Sequence, residues 1–305
     1  TVGGGGACGA PVSSTVNVTV YPLPIAGTPT SLGICSTDAA QSMFTLLGGS
    51  AQPGGNWSGP SPVAGGNYDP ATMNPGVYTY TVNGTAPCPN AAATVTVSES
   101  TPPNAGLDAS ITLCTTSAPV VMVTLLGGGA DGTGSWTGPG GGAMSGGLDP
   151  AVDPSGVYTY TVTGTAPCPN DIATLTVAIN EAPNAGTNGA ITLCSSDAAV
   201  SLFAQLGGTP DAGGAWSGPS PVVGGMIDPA TMSAGVYTYT VTGTSPCPNE
   251  QATVTVTINA PPDPGTDGAI TLCSNDAPAS LFAQLGGTPD AGGAWSGPSP
   301  VVGGM

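Results

Sequence analysis

The chain has 305 residues, 17 of them Asp or Glu, with no Lys, Arg or His and a net charge of −17. With no cation to neutralise phosphate, nucleic acid and anionic membrane surfaces are excluded as partners. With no His or Lys, the usual general bases, Ser-His and Cys-His nucleophile pairs and Schiff-base chemistry are excluded too, and the chain is expected not to be an enzyme.

Gly and Pro together make up about 27 % of the residues, a proportion seen in low-complexity sequence. Against that, 39 % of residues are hydrophobic and only 6 % charged, the reverse of a disordered composition. Short strands between many turns satisfy both facts. No apolar run approaches the ~18–20 residues of a membrane-spanning helix, so no membrane insertion is expected. The sequence begins at Thr1 without a signal-peptide pattern, and targeting information is expected to lie outside it.

Cysteines stand at 8, 35, 88, 114, 168, 194, 247 and 273, two kinds alternating with a period of about 79–80 residues. One kind closes an apolar run, as in Thr112-Leu113-Cys114 and Thr192-Leu193-Cys194; the other sits in Pro87-Cys88-Pro89-Asn90, Pro167-Cys168-Pro169-Asn170 and Pro246-Cys247-Pro248-Asn249. Residues 202–226 and 281–305 are identical. Pro-rich joints divide the chain into the C-terminal part of one repeat (1–24), three whole repeats (25–103, 104–183 and 184–262) and the N-terminal part of another (263–305).

Taken in chain order, a repeat offers strands at Ala190–Cys194, Val200–Leu206, around Trp216 (Gly214–Ser217) and, weakly, at Gly225–Ile227. Two stronger ones follow. Val236–Thr242 puts Tyr237, Tyr239 and Val241 on one face, and Ala252–Ile258 does the same with Ala252, Val254, Val256 and Ile258. Period-two alternation in Thr, Val and Tyr marks half-buried antiparallel strands. The segment between them, Gly243–Gln251, reads as a hairpin loop carrying Cys247. Six or seven short strands in so small a module predict an all-β chain, a tandem array of immunoglobulin-like β-sandwiches with one disulfide each.

Geometry guides the pairing. If Cys168 lies in the hairpin loop, the last strand carries the chain roughly 25 Å away at ~3.3 Å per residue. Cys194 then lies beyond the ~7 Å a disulfide tolerates. The first strand is expected to start at the end of the domain where that loop lies. The expected bonds are therefore Cys35–Cys88, Cys114–Cys168 and Cys194–Cys247, with Cys8 and Cys273 pairing outside the sequence, each closing a loop worth roughly 4 kcal/mol. The rival scheme joins Cys88 to Cys114 and so on, using all eight cysteines and locking neighbouring domains together.

The carboxylates recur in place: Asp69, Asp149 and Asp228 precede Pro-Ala, Asp38, Asp197 and Asp276 follow the first cysteine by three, and Asp131, Asp211 and Asp290 precede the Trp by five. Hard cations favour such oxygens, and Asp149 with Asp153 is the densest pair, so Ca²⁺ is the one cofactor weighed. The competing reading is that Asp before Pro or Gly bonds its own backbone in a turn; with no D-x-D-x-D loop present, that reading is preferred and no cofactor is expected. Trp57, Trp136, Trp216 and Trp295 are expected in the core rather than as sugar platforms. The Tyr pairs Tyr78/Tyr80, Tyr158/Tyr160 and Tyr237/Tyr239 are expected there too. The sequons at Asn17, Asn56 and Asn83 are present in spelling.

The strings around Cys194, Trp216 and Pro246–Asn249 resemble the Ig-like or PKD-like repeats of very large surface proteins of Bacteroidota, the gliding-motility-associated type. The resemblance runs over essentially the whole chain. It implies export by the type 9 secretion route and an extracellular or cell-surface location. The function expected is a structural one, a disulfide-stapled filament or adhesin stalk whose partners are copies of itself. The alternatives are an array binding surface glycans or Ca²⁺, and a spacer in a large exported enzyme. A surface without Lys or Arg also offers trypsin no site.

Overall fold

The computed structural model of the chain describes residues 13–301 and Gly304. They fall into two compact units, 13–112 with 118–178, and 113–117 with 179–301 and Gly304.

In the first repeat the strands are β1 (Thr30–Cys35), β2 (Gln41–Ser42), β3 (Asn56–Ser58), β4 (Asn67–Tyr68), β5 (Gly76–Val82) and β6 (Ala91–Ser100). The larger sheet has the order β1-β6-β5-β3, and a short β2-β4 ladder forms the facing layer. The second repeat carries β7 (Ala109–Cys114), β8 (Val120–Val121), β9 (Ser135–Thr137), β10 (Ala143–Met144), β11 (Gly147–Leu148), β12 (Gly156–Val162) and β13 (Asp171–Asn180). The third carries β14 (Gly189–Cys194), β15 (Val200–Ser201), β16 (Ala215–Ser217), β17 (Met226–Ile227), β18 (Gly235–Val241) and β19 (Glu250–Asn259). Its larger sheet, β14-β19-β18-β16, repeats the order of the first. Each whole repeat is thus an all-β, immunoglobulin-like sandwich.

The alternation read from the sequence sets the core. Tyr237, Tyr239, Ala252, Val254 and Val256 are buried, while Val236 on the opposite face is exposed. Burying a Val or Leu side chain contributes about 1.5–3 kcal/mol, and such residues from both layers close each core. Trp57 and Trp216 pack on Tyr80 and Tyr239 with ring centroids 5.0 Å apart, and Trp136 on Tyr160 at 4.8 Å. The first tyrosine of each pair makes a tyrosine corner: the Tyr78, Tyr158 and Tyr237 hydroxyls donate to the carbonyls of Asn74, Pro154 and Ser233, four residues back. The second tyrosine stands where antibody domains keep an inter-sheet cysteine, so the core of each sandwich is closed by a Trp–Tyr contact instead.

One predicted strand is shorter than expected. Val200–Leu206 gives only the two residues of β15 and then a 3-10 turn, Phe203–Gln205. Backbone bonds close this turn, the Gln205 and Leu206 amides donating to the Leu202 and Phe203 carbonyls. The same turn follows Val121 in the second repeat, which has no hydroxyl there. The Ser201 hydroxyl and carbonyl add bonds from the Ala204 amide and the Gln205 side chain.

The pairing of the first strand decides where the cysteines lie. It runs parallel to the last strand, with Thr30 opposite Val95 and Cys35 opposite Ser100, and likewise Gly189 opposite Val254 and Cys194 opposite Asn259. The first strand does start near the hairpin loop, as expected, but its cysteine is at the strand's other end. From the start of β6 to Ser100 the chain travels roughly 30 Å at ~3.3 Å per residue. Cys35 and Cys88 therefore occupy opposite ends of one sandwich.

Candidate functional site at the junction of consecutive repeats

The expected disulfides Cys35–Cys88, Cys114–Cys168 and Cys194–Cys247 are not formed. Instead Cys35 bonds Cys168 and Cys114 bonds Cys247, each with Cα atoms 5.0 Å apart and a sequence separation of 133. Each bond joins the first strand of one repeat to the hairpin loop of the next. The rival scheme, which also predicted bonds between neighbours, is corrected as well, since Cys88 does not meet Cys114. Among the described residues Cys88, Cys194 and Cys273 are free thiols, and Cys8 lies outside those residues.

Two pieces make the junction. The first is the loop bearing the second kind of cysteine. Asn90, Asn170 and Asn249 each turn a side-chain oxygen back to accept the amide of Gly84, Gly164 and Gly243. A Cβ on Gly164 would stand 2.3 Å from the Pro169 carbonyl oxygen and 2.4 Å from that of Cys168, so only glycine closes the loop. The Cys168 amide donates to the Thr165 carbonyl at 3.0 Å, and the peptide bonds before Pro87, Pro167 and Pro246 are cis. The second cysteine thus sits at the tip of a hydrogen-bonded loop.

The second piece is the end of the first strand. The Cys35 amide donates to Asp38 Oδ2 at 3.0 Å, and the Asp38 amide donates back to the Cys35 carbonyl at 2.9 Å. Ser117 replaces Asp38 beneath Cys114, and Asp197 keeps the carboxylate beneath Cys194. The next residue, Ser36, donates its amide to the Ser100 carbonyl at the end of the last strand. A hydroxyl two residues on faces the sulfur: Thr37 to Cys35, Thr116 to Cys114 and Ser196 to Cys194.

Where tip meets strand end, Cys168 Sγ lies 3.2 Å from the Ser100 carbonyl oxygen, and the Ser100 hydroxyl donates to the Ala166 carbonyl. In the second unit Cys247 Sγ lies 3.4 Å from the Asn180 carbonyl oxygen, and the Asn180 side chain donates to the Ser245 carbonyl at 2.8 Å. All four bonded cysteines are buried. On the free Cys194, the Ser196 hydroxyl, followed by the Ser196 and Ser195 amides, holds the thiol below its ordinary range.

The carboxylates weighed for Ca²⁺ serve backbone. Asp149 and Asp153 do come together: Asp153 Oδ2 accepts the Asp149 amide at 2.8 Å, and Asp149 Oδ1 accepts the Ala151 amide at 3.0 Å. In the other repeats the Met73 and Met232 sulfurs take the role of Asp153. The recurring Asp131 and Asp211 clamp the linkers, accepting the amides of Asn104 and Asn184 at 2.8 Å. The Gly164–Asn170 clasp does have a sequence signal, the shared spacing of Gly and Asn around each Pro-Cys-Pro. The Asp three residues after the first cysteine is visible in the sequence, but its bond to the cysteine amide is seen only in the fold.

No protein-family model matches this chain. No curated protein matches it either. Among solved structures, it is similar to a three-Ig fragment of titin at a TM-score of 0.44 and 12 % identity, over 79 % of this chain and 100 % of that one. The insect immune protein hemolin aligns at a TM-score of 0.36 and 12 % identity, over 78 % of this chain and 76 % of that one. Domains 3–5 of Drosophila OTK align at 0.31 and 12 %, over 79 % of this chain and 100 % of that one. Likenesses this distant identify no relative.

Proposed function

We propose that the chain is a load-bearing segment of a secreted extracellular stalk or filament of the adhesin type, with a mechanical and non-enzymatic role. The observation that carries this reading is the interleaving of the two staples: Cys35–Cys168 and Cys114–Cys247 overlap in sequence, so a pull on one repeat passes into the next through a covalent bond. Disulfides of this kind persist in oxidising surroundings, which supports an extracellular location. The resemblance of the repeats to those of Bacteroidota surface proteins supports cell-surface display and the type 9 route.

Stretching single molecules tests the reading. With both bonds intact the covalent path from Cys35 to Cys247 contains only the ~54 residues between Cys114 and Cys168, about 190 Å when extended at ~3.6 Å per residue. Reduction frees all ~212 residues, about 760 Å. The expected gain is about 570 Å on adding reductant. Equal extensions with and without reductant refute the load path.

A further inference from the structure

The second repeat has a cavity where the first and third have a phenyl ring. All three phenylalanines of the chain, Phe44, Phe203 and Phe282, stand at one position of the repeat, directly after Met43, Leu202 and Leu281. The second repeat carries Val123 there, after Met122. Phe44 meets Tyr80 edge-on with ring centroids 5.4 Å apart, and Phe203 meets Tyr239 in the same way at 5.5 Å. Trp57 and Trp216 pack against the same two tyrosines, so each of these sandwiches holds a trio of aromatic rings. In the second repeat only the Trp136–Tyr160 pair remains.

Two neighbouring positions shrink together with it. The Tyr80, Tyr239 and Tyr160 hydroxyls donate to the carbonyls of Gln52, Asp211 and Asp131. The residue after that carbonyl is Pro53 in the first repeat and Ala212 in the third, but Gly132 in the second. The amides of Met43, Leu202 and Met122 donate to the carbonyls of Gly66, Gly225 and Gly146, and the residues that follow are Asn67, Met226 and Gly147. Three separate segments thus withdraw side chains from one place. They leave a cavity of about 240 Å³ lined by Val123, Gly132, Gly147, Trp136 and Tyr160. Tyr160 is already satisfied there, since its hydroxyl also accepts from the Gly134 amide at 2.8 Å. An apolar cavity of ~150 Å³ in a protein stays dry and takes up benzene, so this one has room for a ring with a small substituent.

We propose that this cavity binds a small, uncharged aromatic molecule, whose ring takes the place that the Phe44 and Phe203 rings hold in the other repeats, edge-on to Tyr160. An aromatic ring suits the site because Tyr160 and Trp136 keep the pairing that Tyr80 with Trp57 and Tyr239 with Trp216 offer to a phenyl group. The ligand is uncharged because no charged side chain lines the cavity. A chain without Lys, Arg or His also has no counter-charge for an aromatic carboxylate. The site plays no part in the load path, so the two are tested separately.

The test titrates the full chain with toluene, followed by NMR. The expected result is saturable binding at a single site, with Overhauser contacts between the toluene ring and the Val123 methyl groups. Val123→Phe installs the residue of the first and third repeats and should weaken toluene binding at least ~10-fold by filling the space. Gly132→Ala with Gly147→Met, the residues of the third repeat, should do the same by a second route. A Cβ at either glycine meets nothing within 4 Å, so this variant keeps the fold, as circular dichroism should confirm. Absence of saturable binding, or unaltered affinity in both variants, overturns the proposal. Cyclohexane should bind more weakly than toluene, and equal affinity overturns the aromatic class. N-acetylphenylalaninamide should bind no more tightly than toluene; if it does, the site belongs to a peptide side chain and the assignment to a free molecule is wrong.

Discussion

Removing the first staple with Cys35→Ala/Cys168→Ala measures what the inter-repeat bond contributes. The bond spans a sequence separation of 133. Chain-entropy treatment of a loop that long gives about 5 kcal/mol at 25 °C, mostly by restricting the unfolded chain. For a unit of this size each kcal/mol moves the melting temperature ~2–4 °C, so the midpoint should fall by about 10–20 °C. Cys88→Ala serves as the control, because Cys88 is a free thiol and its loss should change stability by less than ~0.5 kcal/mol. Calorimetry and urea titration of the three proteins, with the disulfides mapped in each, provide the measurement. If Cys88→Ala costs as much as the double variant, the bond is within a repeat and the derivation from the parallel first strand is wrong.

Other outcomes follow from the same geometry. Gly164→Ala should cost about 1–3 kcal/mol through the clash of its Cβ with the Cys168 and Pro169 carbonyls, and should lower the yield of the Cys35–Cys168 bond seen by peptide mapping. Cys194 should be alkylated with a rate midpoint below that of an ordinary thiol, and Ser196→Ala should move that midpoint upward, as followed by mass spectrometry across pH. Tyr68 is pushed up by burial and by its hydrogen bond to Glu99, and Tyr158 by burial and then the Asp153 charge. The folded chain therefore keeps phenol protons that the unfolded chain releases above about pH 10, so stability should be unaffected below that pH and fall above it, read as a declining urea midpoint. Chelator should move the melting temperature by less than ~1 °C, since Asp149 and Asp153 are engaged with backbone amides; a larger drop revives Ca²⁺ at that turn.

Much of the fold is legible in the sequence because side-chain alternation reports which face of a strand is buried. Tyr237, Tyr239, Val254 and Val256 lie in the core, as the period-two pattern requires. Alternation says nothing about strand direction or neighbour, and the error over the disulfides arose there. Thr192-Leu193-Cys194 places the cysteine at the end of its run, a fact visible in the sequence; a strand starting beside the hairpin loop must carry that cysteine away from it. The 3-10 turn after β15 was hidden for another reason. The turn is closed by local backbone bonds from the Gln205 and Leu206 amides to the Leu202 and Phe203 carbonyls, which apolar periodicity does not register.

The missing cations and the inter-repeat staples belong to one physical arrangement. A chain with 17 carboxylates and no Lys, Arg or His holds no side-chain ion pair at all. Its carboxylates go instead to amide donors at the joints: Asp131 and Asp211 to Asn104 and Asn184, Asp171 and Glu250 to Ala105 and Ala185, all at 2.7–2.8 Å. These bonds fix the angle at which the linker enters its repeat, and they are short because the acceptor is charged. Like charges along the chain still repel, and no side chain of opposite charge draws one repeat to the next. Cohesion across each junction must then come from contacts that ignore charge. A buried disulfide seated on a backbone carbonyl meets that condition, and it places a covalent bond at each of the two junctions between whole repeats.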